Sequence, residues 1–285
     1  MGTQIKGKQL YLLVIALIIG SSSFLRAADK TDHKRKLVWS DEFNYSGHPD
    51  STKWIFETGF LRNVEDQYYT DRLKNVRVED GKLILEADKE AVKNTAFVSK
   101  EVKDWRKNRE YSKYTSGSIS TRGKGEWTYG RIEVRAKLPK GVGLWPAVWM
   151  LGKNIPEVGW PKCGEIDIME HVGFNADTIF GTIHTGAYNH IKGTQKGKKL
   201  LINNPYNEFH TYVVEWAPER IDFYLDKDRY YSFANEHKTT EEWPFDQPFY
   251  LKLNIAVGGM LGGQKGIDDS VFPEKMVIDY VRIYQ

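Results

Sequence analysis

Hydrophobic and polar residues alternate with a period of two along several stretches of the chain. The stretch RIEVRAKL (131–138) is nearly ideal, and 278–284 is rich in β-branched and aromatic residues. Such alternation is typical of strands that bury one face. Seven further segments are predicted as strands in the same way: Val76–Val78, Leu83–Leu85, Ser118–Thr121, Ile179–His184, Phe209–Trp216, Ile221–Leu225 and Phe249–Val257.

Turn residues separate these strands, and no window carries a long amphipathic helical pattern. Glu79-Asp80-Gly81 and Asp226-Lys227-Asp228 are two such turns. The pattern predicts an all-β fold, a sandwich of antiparallel sheets rather than alternating β and α units. Residues 88–114, which are polar around Trp105, predict a loop excursion that either walls a site or is simply solvated.

The N-terminus predicts a secretory signal peptide over residues 1–27. Two lysines precede an apolar run at 10–19, and small residues follow it. The run of about ten residues is well short of the roughly 20 that span a bilayer as a helix. An uncleaved anchor is the alternative, because 25–27 matches the usual cleavage pattern poorly. We therefore expect one domain over 28–285 in a secreted, periplasmic or extracellular protein, without membrane attachment after signal removal.

Charge and composition limit the classes of binding partner that the sequence predicts. The 285 residues carry 41 Lys and Arg against 38 Asp and Glu, and this balance does not predict binding to nucleic acid or to an anionic membrane. Aromatic residues make up 13% of the chain, with 9 Trp and 16 Tyr, which suggests that some rings stack on a ligand. The single cysteine, Cys163, excludes an intramolecular disulfide and is expected to be a packed small side chain rather than a nucleophile.

Three carboxylates stand at uneven spacing in one apolar run, GEIDIMEHVG (164–173). In a regular strand Glu165 and Asp167 share a face, and Glu170 points to the other face, where an unpaired buried carboxylate is costly. One extra residue at Ile168-Met169, a β-bulge, returns Glu170 to the face of the other two acids. The spacing therefore predicts a bulged strand with all three acids on one surface.

Acids on one surface can bind a hard cation, form an ionic network, lie at a solvated edge or perform acid–base chemistry. Calcium prefers oxygen ligands from a flexible loop, which a stiff strand supplies poorly. In retaining glycoside hydrolysis, one carboxylate attacks the anomeric carbon, and a second one about 5 to 5.5 Å away protonates the leaving oxygen. The arrangement favours glycosidic cleavage, in which a third carboxylate such as Asp167 shares a proton with the nucleophile.

The pattern Glu165-Ile-Asp-Ile-Met-Glu170 resembles the E-x-D-x-x-E signature of family 16 glycoside hydrolases in its bulged form. The resemblance runs from about Leu37 to Gln285 and is strongest to the laminarinase branch. It implies a β-jelly-roll sandwich with a concave polysaccharide cleft and a catalytic domain over 28–285. The matching segments occur in the family's order: WTYGRIEVRAKLPKG (127–141), LWPAVWMLG (144–152), GWPKCGEIDIMEHVG (159–173), FGTIHT (180–185), YNEFHTYVVEWAPERIDFYLD (206–226) and DYVRIY (279–284).

The resemblance also implies residue roles. Glu165 is the expected nucleophile, Glu170 the general acid/base and Asp167 the assisting carboxylate. Trp145 and Trp149 are four apart on a predicted strand, so they share a face on which a sugar can stack, although core packing is the alternative. A set of residues is expected to contact sugar by this resemblance: Trp145, Trp149, Trp160, His184, Asn63 and Arg131.

No cofactor is expected for catalysis, because acid–base hydrolysis by paired carboxylates needs none. The resemblance implies a structural calcium ion on the convex side, far from the acids. Its ligands would be Glu42, the backbone carbonyl of Gly81, and Asp279. The alternative is that Asp279 simply faces solvent.

These features predict a secreted, monomeric, endo-acting β-glucanase. It would hydrolyse internal β-1,3 bonds of laminarin-type or mixed-linkage β-1,3/1,4-glucan with retention of anomeric configuration. Two alternatives stay open: a β-glucan-binding protein without turnover, and a galactan hydrolase of agarase or carrageenase type. Sulfated galactans would favour a cleft rich in Arg and Lys, whereas the tryptophan-rich stretches WPAVW and GWPKCGEID favour a neutral glucan.

Overall fold

Apolar side chains of alternating strands build a core between two antiparallel β-sheets. In the strand Gly130–Lys137 the alternate residues Ile132, Val134 and Ala136 are fully buried, and the residues between them are partly exposed. The computed structural model describes Met1–Gly2 and residues 35–285. Apart from its first two residues, the predicted signal peptide at 1–27 lies outside the described residues.

The described strands follow the alternating pattern of the sequence. They are β1 (Leu37–Asp41), β2 (Ile55–Phe56), β3 (Gln67–Tyr69), β4 (Val76–Glu79), β5 (Lys82–Ala87), β6 (Val92–Lys93), β7 (Tyr111–Ser112), β8 (Tyr114–Ser116), β9 (Ser118–Ser120), β10 (Gly130–Lys137), β11 (Leu144–Gly152), β12 (Glu165–His171), β13 (Thr178–His184), β14 (Lys196–Leu201), β15 (His210–Ala217), β16 (Arg220–Leu225), β17 (Asp228–Ala234), β18 (Phe249–Val257) and β19 (Glu274–Tyr284).

Helices are short in this part of the chain. They are α1 (Trp105–Asn108), α2 (Ile155–Val158), α3 (Gly259–Gly262) and a 3-10 turn at Asp269–Val271. Within the described residues, no helix has the length and apolar character that a membrane crossing requires. Residues Arg35–Gln285 form one compact unit.

The strands form two large sheets. The outer sheet has the order β17-β16-β15-β10-β19-β5-β4, with β1 paired to β19, and the inner sheet has the order β14-β13-β12-β11-β18-β9-β2. All pairs within these two sheets are antiparallel. All nine strands predicted from alternation are present, and β19 begins earlier than expected, at Glu274. The predicted two-sheet β-sandwich is therefore confirmed.

The inner sheet is covered on both faces near its centre. All nine residues of β18 are buried, as are eight of the nine residues of β11. One face of these strands contributes to the main core, and the other carries a second apolar cluster that includes Ala147, Trp149, Cys163 and Tyr250. Cys163 is fully buried there, and burial raises the pKa of its thiol to about 12, so the prediction of a packed side chain is confirmed.

The excursion at 88–114 is more ordered than its polar sequence predicts. It contains α1 and the small β6–β7 ribbon. The buried side chain of Asn94 donates to the carbonyls of Arg106 and Arg109, both at 2.8 Å, and thereby closes the loop. Local polar bonds of this kind leave no periodic pattern in a sequence, which is why the order was not predicted.

Candidate active site

The catalytic strand predicted by the acid spacing contains the predicted bulge. Between Asp167 and Glu170, β12 has one residue more than each of its neighbours β11 and β13. The consecutive residues Ile168 and Met169 both pack in the main core, at 1% and 0% exposure. Because the alternation is reset there, Glu170 returns to the face of Glu165, as the sequence predicted.

Each glutamate accepts a hydrogen bond from its own tryptophan. Trp160 Nε1 donates to Glu165 Oε2 at 3.0 Å, and Trp145 Nε1 donates to Glu170 Oε1 at 2.9 Å. Both carboxylates are partly buried. The two indoles therefore fix the carboxylates at the surface of the inner sheet that faces away from the core, which we call the cleft face.

Asp167 lies between the two glutamates along β12, and His184 lies opposite Glu165 on β13. Asp167 is 3% exposed, and its carboxyl lies within 4.8 Å of that of Glu165. Nε2 of His184 lies 3.3 Å from Asp167 Oδ2 and 3.9 Å from Glu165 Oε1. The structure thus brings together the three acids and the histidine that the sequence singled out.

Burial and mutual repulsion shift the acids toward their protonated forms. Burial, followed by the charge of Asp167, raises the pKa of Glu165 to about 8. Burial and then the charge of Glu170 raise the pKa of Asp167 well above its ordinary value, and burial raises the pKa of Glu170. A proton on Asp167 removes its repulsion of Glu165, so Glu165 ionises more readily when Asp167 is protonated.

Trp149 forms part of the floor of the cleft face. Its ring is 9% exposed, and Nε1 donates to Asn254 Oδ1 at 2.8 Å. The ammonium of Lys252 lies 4.2 Å from the ring centroid, and the guanidinium of Arg62 lies 5.1 Å from it. The ring is therefore packed between cations and is not presented as an open stacking platform, which corresponds to the packing alternative.

Two cations over the ring of Trp149, the buried Lys252 and the partly exposed Arg62, share one acid. Lys252 Nζ lies 2.9 Å from Glu57 Oε1, and Arg62 Nη1 lies 3.1 Å from Glu57 Oε2. Burial, with a further contribution from Arg62, lowers the pKa of Lys252 to about 8. Sequence reasoning missed this network, although Lys252 and Asn254 alternate with the core residues of β18, and that polar alternation was the available signal.

Comparison with known proteins decides the family. The model for glycosyl hydrolases family 16 matches residues 63–282. A beta-glucanase of Rhodothermus marinus is 47% identical over 95% of this chain and 93% of its own length. The chain belongs to glycosyl hydrolase family 16. The resemblance seen in the acid signature is thereby confirmed.

Two further comparisons support this family 16 assignment. The crystal structure of the laminarinase from Rhodothermus marinus superposes with a TM-score of 0.79 at 48% identity, covering 88% of this chain and 97% of that one. A keratan-sulfate endo-1,4-beta-galactosidase of Sphingobacterium multivorum is 36% identical over 93% of this chain and 58% of its own length. The jelly-roll sandwich expected from the resemblance is therefore confirmed as the fold of this chain.

His190 is a neighbour of the family 16 acids that the sequence did not reveal. Its ring centroid lies 5.0 Å from that of Trp160 and 5.3 Å from that of His184. Burial and the charge of His184 lower the pKa of His190. The residue lies in the loop after β13, where no periodicity marks its orientation, so only the structure places it against Trp160.

Asn63 lies at the rim rather than beside the acids. Its side chain donates to Glu65 Oε1 at 3.2 Å, and its carbonyl accepts from the backbone N–H of Met260 in α3 at 2.9 Å. A Cβ on Gly262 of the same helix would lie 2.9 Å from Cβ of Trp145, so α3 rests directly on that tryptophan. Asn63 is thus connected through α3 to the indole that holds Glu170.

The prediction that Arg131 contacts substrate is wrong. Arg131 lies on β10 of the outer sheet, where Ile132 and Val134 face the core and Arg131 therefore faces away from the sandwich. Its guanidinium binds Glu133 at 2.6 Å and Glu215 at 2.8 Å on that outer surface. The strand alternation that predicted β10 correctly did not tell which of the two sheets carries the cleft.

The residues expected to bind calcium already form ion pairs or hydrogen bonds with lysine and arginine side chains. Lys82 Nζ lies 2.9 Å from Asp279 Oδ1 and 3.3 Å from the Gly81 carbonyl oxygen, and Arg135 also pairs with Asp279. Both oxygens of Glu42 accept from Arg282, at 2.9 and 2.8 Å. This arrangement does not fit a calcium ion, because an ammonium already bridges two of its three ligands.

A different set of side chains has metal-ligand spacing. Donor atoms of Glu165, Asp167 and His184 all lie within 4.8 Å of one another. These are the acids of the site itself, and their raised pKa values retain protons that a metal would have to displace. The arrangement is therefore best described as an acid cluster, and we derive no step through a metal.

Proposed function

We propose that this protein is an endo-acting β-1,3-glucanase that hydrolyses laminarin-type or mixed-linkage glucan with retention of anomeric configuration. One observation carries the proposal. The bulge in β12 puts Glu165 and Glu170 on one face of the inner sheet, and each is bound by its own indole. The names of the beta-glucanase and laminarinase of Rhodothermus marinus support this choice of substrate.

In the first step Glu170, in its protonated form, donates its proton to the glycosidic oxygen while a carboxylate oxygen of Glu165 bonds to the anomeric carbon. The carbon–oxygen bond to the leaving sugar breaks, and its electrons pass to the newly protonated oxygen. In the second step Glu170 removes a proton from water, the water oxygen bonds to the anomeric carbon, and Glu165 leaves as a carboxylate. Both glutamates regain their starting state.

The surroundings of each glutamate suit these roles. Burial raises the pKa of Glu170, which favours the protonated form that a general acid requires. The indole N–H of Trp160 and a protonated Asp167 both stabilise negative charge on Glu165, which a nucleophile requires. Two carboxyls of one strand thus acquire different roles from their different neighbours.

Product analysis on laminarin and on mixed-linkage glucan tests the proposal. We expect the wild-type protein to release short oligosaccharides from laminarin, and Glu165→Gln to release none while it still binds the polymer. Glu101→Gln, at an exposed loop position, is the matched control and should cleave as the wild type does. Cleavage by Glu165→Gln at the wild-type rate would refute the assignment, and proton NMR of the first product reports the anomeric configuration.

A galactan hydrolase is the second candidate. The relative from Sphingobacterium multivorum, a keratan-sulfate endo-1,4-beta-galactosidase, supports it, since the similarity extends over 93% of this chain. A substrate panel of laminarin, agar, carrageenan and keratan sulfate separates the two. A non-catalytic glucan-binding protein would show affinity for laminarin without new reducing ends, and the presence of both glutamates argues against it.

We also propose that the protein is exported and acts as a monomer without a catalytic cofactor. The charged and apolar segments of residues 1–27 support export. Mass spectrometry of protein recovered from outside the expressing cell should show that the N-terminal segment has been removed. Light scattering of the purified protein should give a mass near that of one chain, and a dimer mass would contradict the proposal.

A further inference from the structure

A lateral row of three side chains connects the acid/base to the edge of the inner sheet. Glu170 on β12 pairs with Phe180 on β13, and Phe180 pairs with Lys199 on the edge strand β14. Directly paired residues of antiparallel strands project to the same face. Lys199 therefore lies two strand spacings, about 9.6 Å, from the backbone of Glu170 on the cleft face.

Phe180 and Lys199 form a preorganised pair on that face. Ile179 and Ile183 of β13 are fully buried in the core, so Phe180 projects to the side of His184 and the acids. Phe180 is partly exposed, and the ammonium of Lys199 lies 5.3 Å from its ring centroid. The aromatic ring thus holds the ammonium of an exposed lysine on the cleft face, two strands from Glu170.

The sequence around Lys199 is basic. Four lysines and no acid occur between Asp177 and Glu208 in the sequence. Within residues 35–285, Lys199 has no carboxylate oxygen within ion-pair distance of its ammonium, and its described partner is the ring of Phe180. Lysines protect an edge strand against pairing wherever they point. That role does not explain a free cation placed on an aromatic ring next to Glu170.

We propose that Phe180 and Lys199 form a subsite on the leaving-group side of the cleft for a sugar that carries an anionic group, a sulfate ester or a carboxylate. The ammonium, held over the ring of Phe180, would bind the anionic group of the sugar. The side of the cleft is assigned from the role of Glu170, so the subsite rests on the proposed function. It predicts that the enzyme accepts acidic β-glucans that a cleft lined only by neutral groups would bind less well.

The test compares two lysines that are adjacent on β14 and project to opposite faces. Lys199→Gln removes the cation on the cleft face, whereas Lys198→Gln, opposite Gly181 on the other face, removes the same charge from the same strand. The substrates are neutral laminarin, lightly sulfated laminarin and laminarin oxidised to carry carboxylates, each at low and at high salt. The measured quantity is kcat/KM from the release of reducing ends.

We expect Lys199→Gln to lower kcat/KM for the acidic substrates by about threefold to fivefold at low salt, as for an exposed ion pair. Lys199→Gln should cleave neutral laminarin as the wild type does. Lys198→Gln should change kcat/KM for neither the neutral nor the acidic substrates, and high salt should remove the difference between Lys199→Gln and the wild type. Loss on sulfated laminarin alone assigns a sulfate, and loss on the oxidised polymer alone assigns a carboxylate. An equal effect of both variants, or no effect of Lys199→Gln on either acidic substrate, overturns the subsite.

Binding separates a failure of the subsite from a failure of the proposed function. If the wild type does not cleave neutral laminarin, the proposed hydrolysis is wrong. Calorimetry of sulfated laminarin oligosaccharides with Glu165→Gln, and with the double variant Glu165→Gln/Lys199→Gln, then still decides the subsite. An affinity reduced about threefold to fivefold in the double variant supports it, and equal affinities refute it.

Discussion

The replacement of Trp160 by phenylalanine tests the assignment of the nucleophile. The change keeps an aromatic ring beside His190 and His184 and removes the indole N–H that donates to Glu165 Oε2 at 3.0 Å. A hydrogen bond to a charged group contributes about 1.5 to 3 kcal/mol. Since one pKa unit corresponds to about 1.4 kcal/mol, its loss should raise the pKa of Glu165 by about one to two units.

A nucleophile must be ionised, so this shift moves the acidic limb of the pH profile. We expect the lower apparent pKa of kcat/KM on laminarin to rise in Trp160→Phe, and the rate below that limb to fall about tenfold for each unit. The two apparent pKa values of the pH profile belong to the acid cluster as a whole, so each limb of the variant's profile is compared with the same limb of the wild type.

Trp145→Phe is the matched variant, because it removes the equivalent donor to Glu170 Oε1 at 2.9 Å. A general acid must be protonated, so a raised pKa of Glu170 moves the basic limb upward and leaves the acidic limb in place. If Trp160→Phe moves the basic limb and Trp145→Phe moves the acidic limb, the roles of Glu165 and Glu170 are reversed. If neither limb moves in either variant, the indole bonds do not tune the acids and the reasoning is refuted.

Three further predictions concern stability. The pKa of Glu165 is raised to about 8 in the folded protein, so the stability that its protonated form contributes is present below the ordinary carboxyl range and is lost as the pH rises through 8. Glu165→Gln cannot ionise and should therefore raise the melting temperature more at pH 8 than at pH 5. An equal gain at both pH values would contradict this. Lys252→Met leaves Glu57 with Arg62 as its remaining cation and should lower the free energy of unfolding in urea by about 3 to 5 kcal/mol. Lys275→Met, at an exposed lysine whose partner Glu86 also pairs with Arg77, should cost less than about 1 kcal/mol, and similar costs for both would be inconsistent with the network. Because Lys82 already bridges Asp279 and the Gly81 carbonyl, the melting temperature should be the same in calcium and in EDTA, and a clear rise in calcium would show that the ion displaces the lysine.

The sequence alone determined the strands, the bulge and the acids. Alternation in 131–138 and 278–284 requires strands with one buried face, and this physical requirement is local to each segment. The uneven spacing of Glu165, Asp167 and Glu170 likewise has one solution that avoids a buried unpaired charge, so the bulge at Ile168 followed from the sequence.

The tertiary structure alone decided which faces and which distant segments meet at the site. Alternation gives every strand two faces but does not say which sheet carries the cleft, so it could not correct the expectation, taken from the family resemblance, that Arg131 contacts substrate; the structure places Arg131 on the outer surface. Trp149 and Lys252 meet only because β11 and β18 pair, and His190 reaches Trp160 only through the fold of its loop. Contacts between residues far apart in sequence depend on strand order and sheet stacking, which local periodicity does not encode.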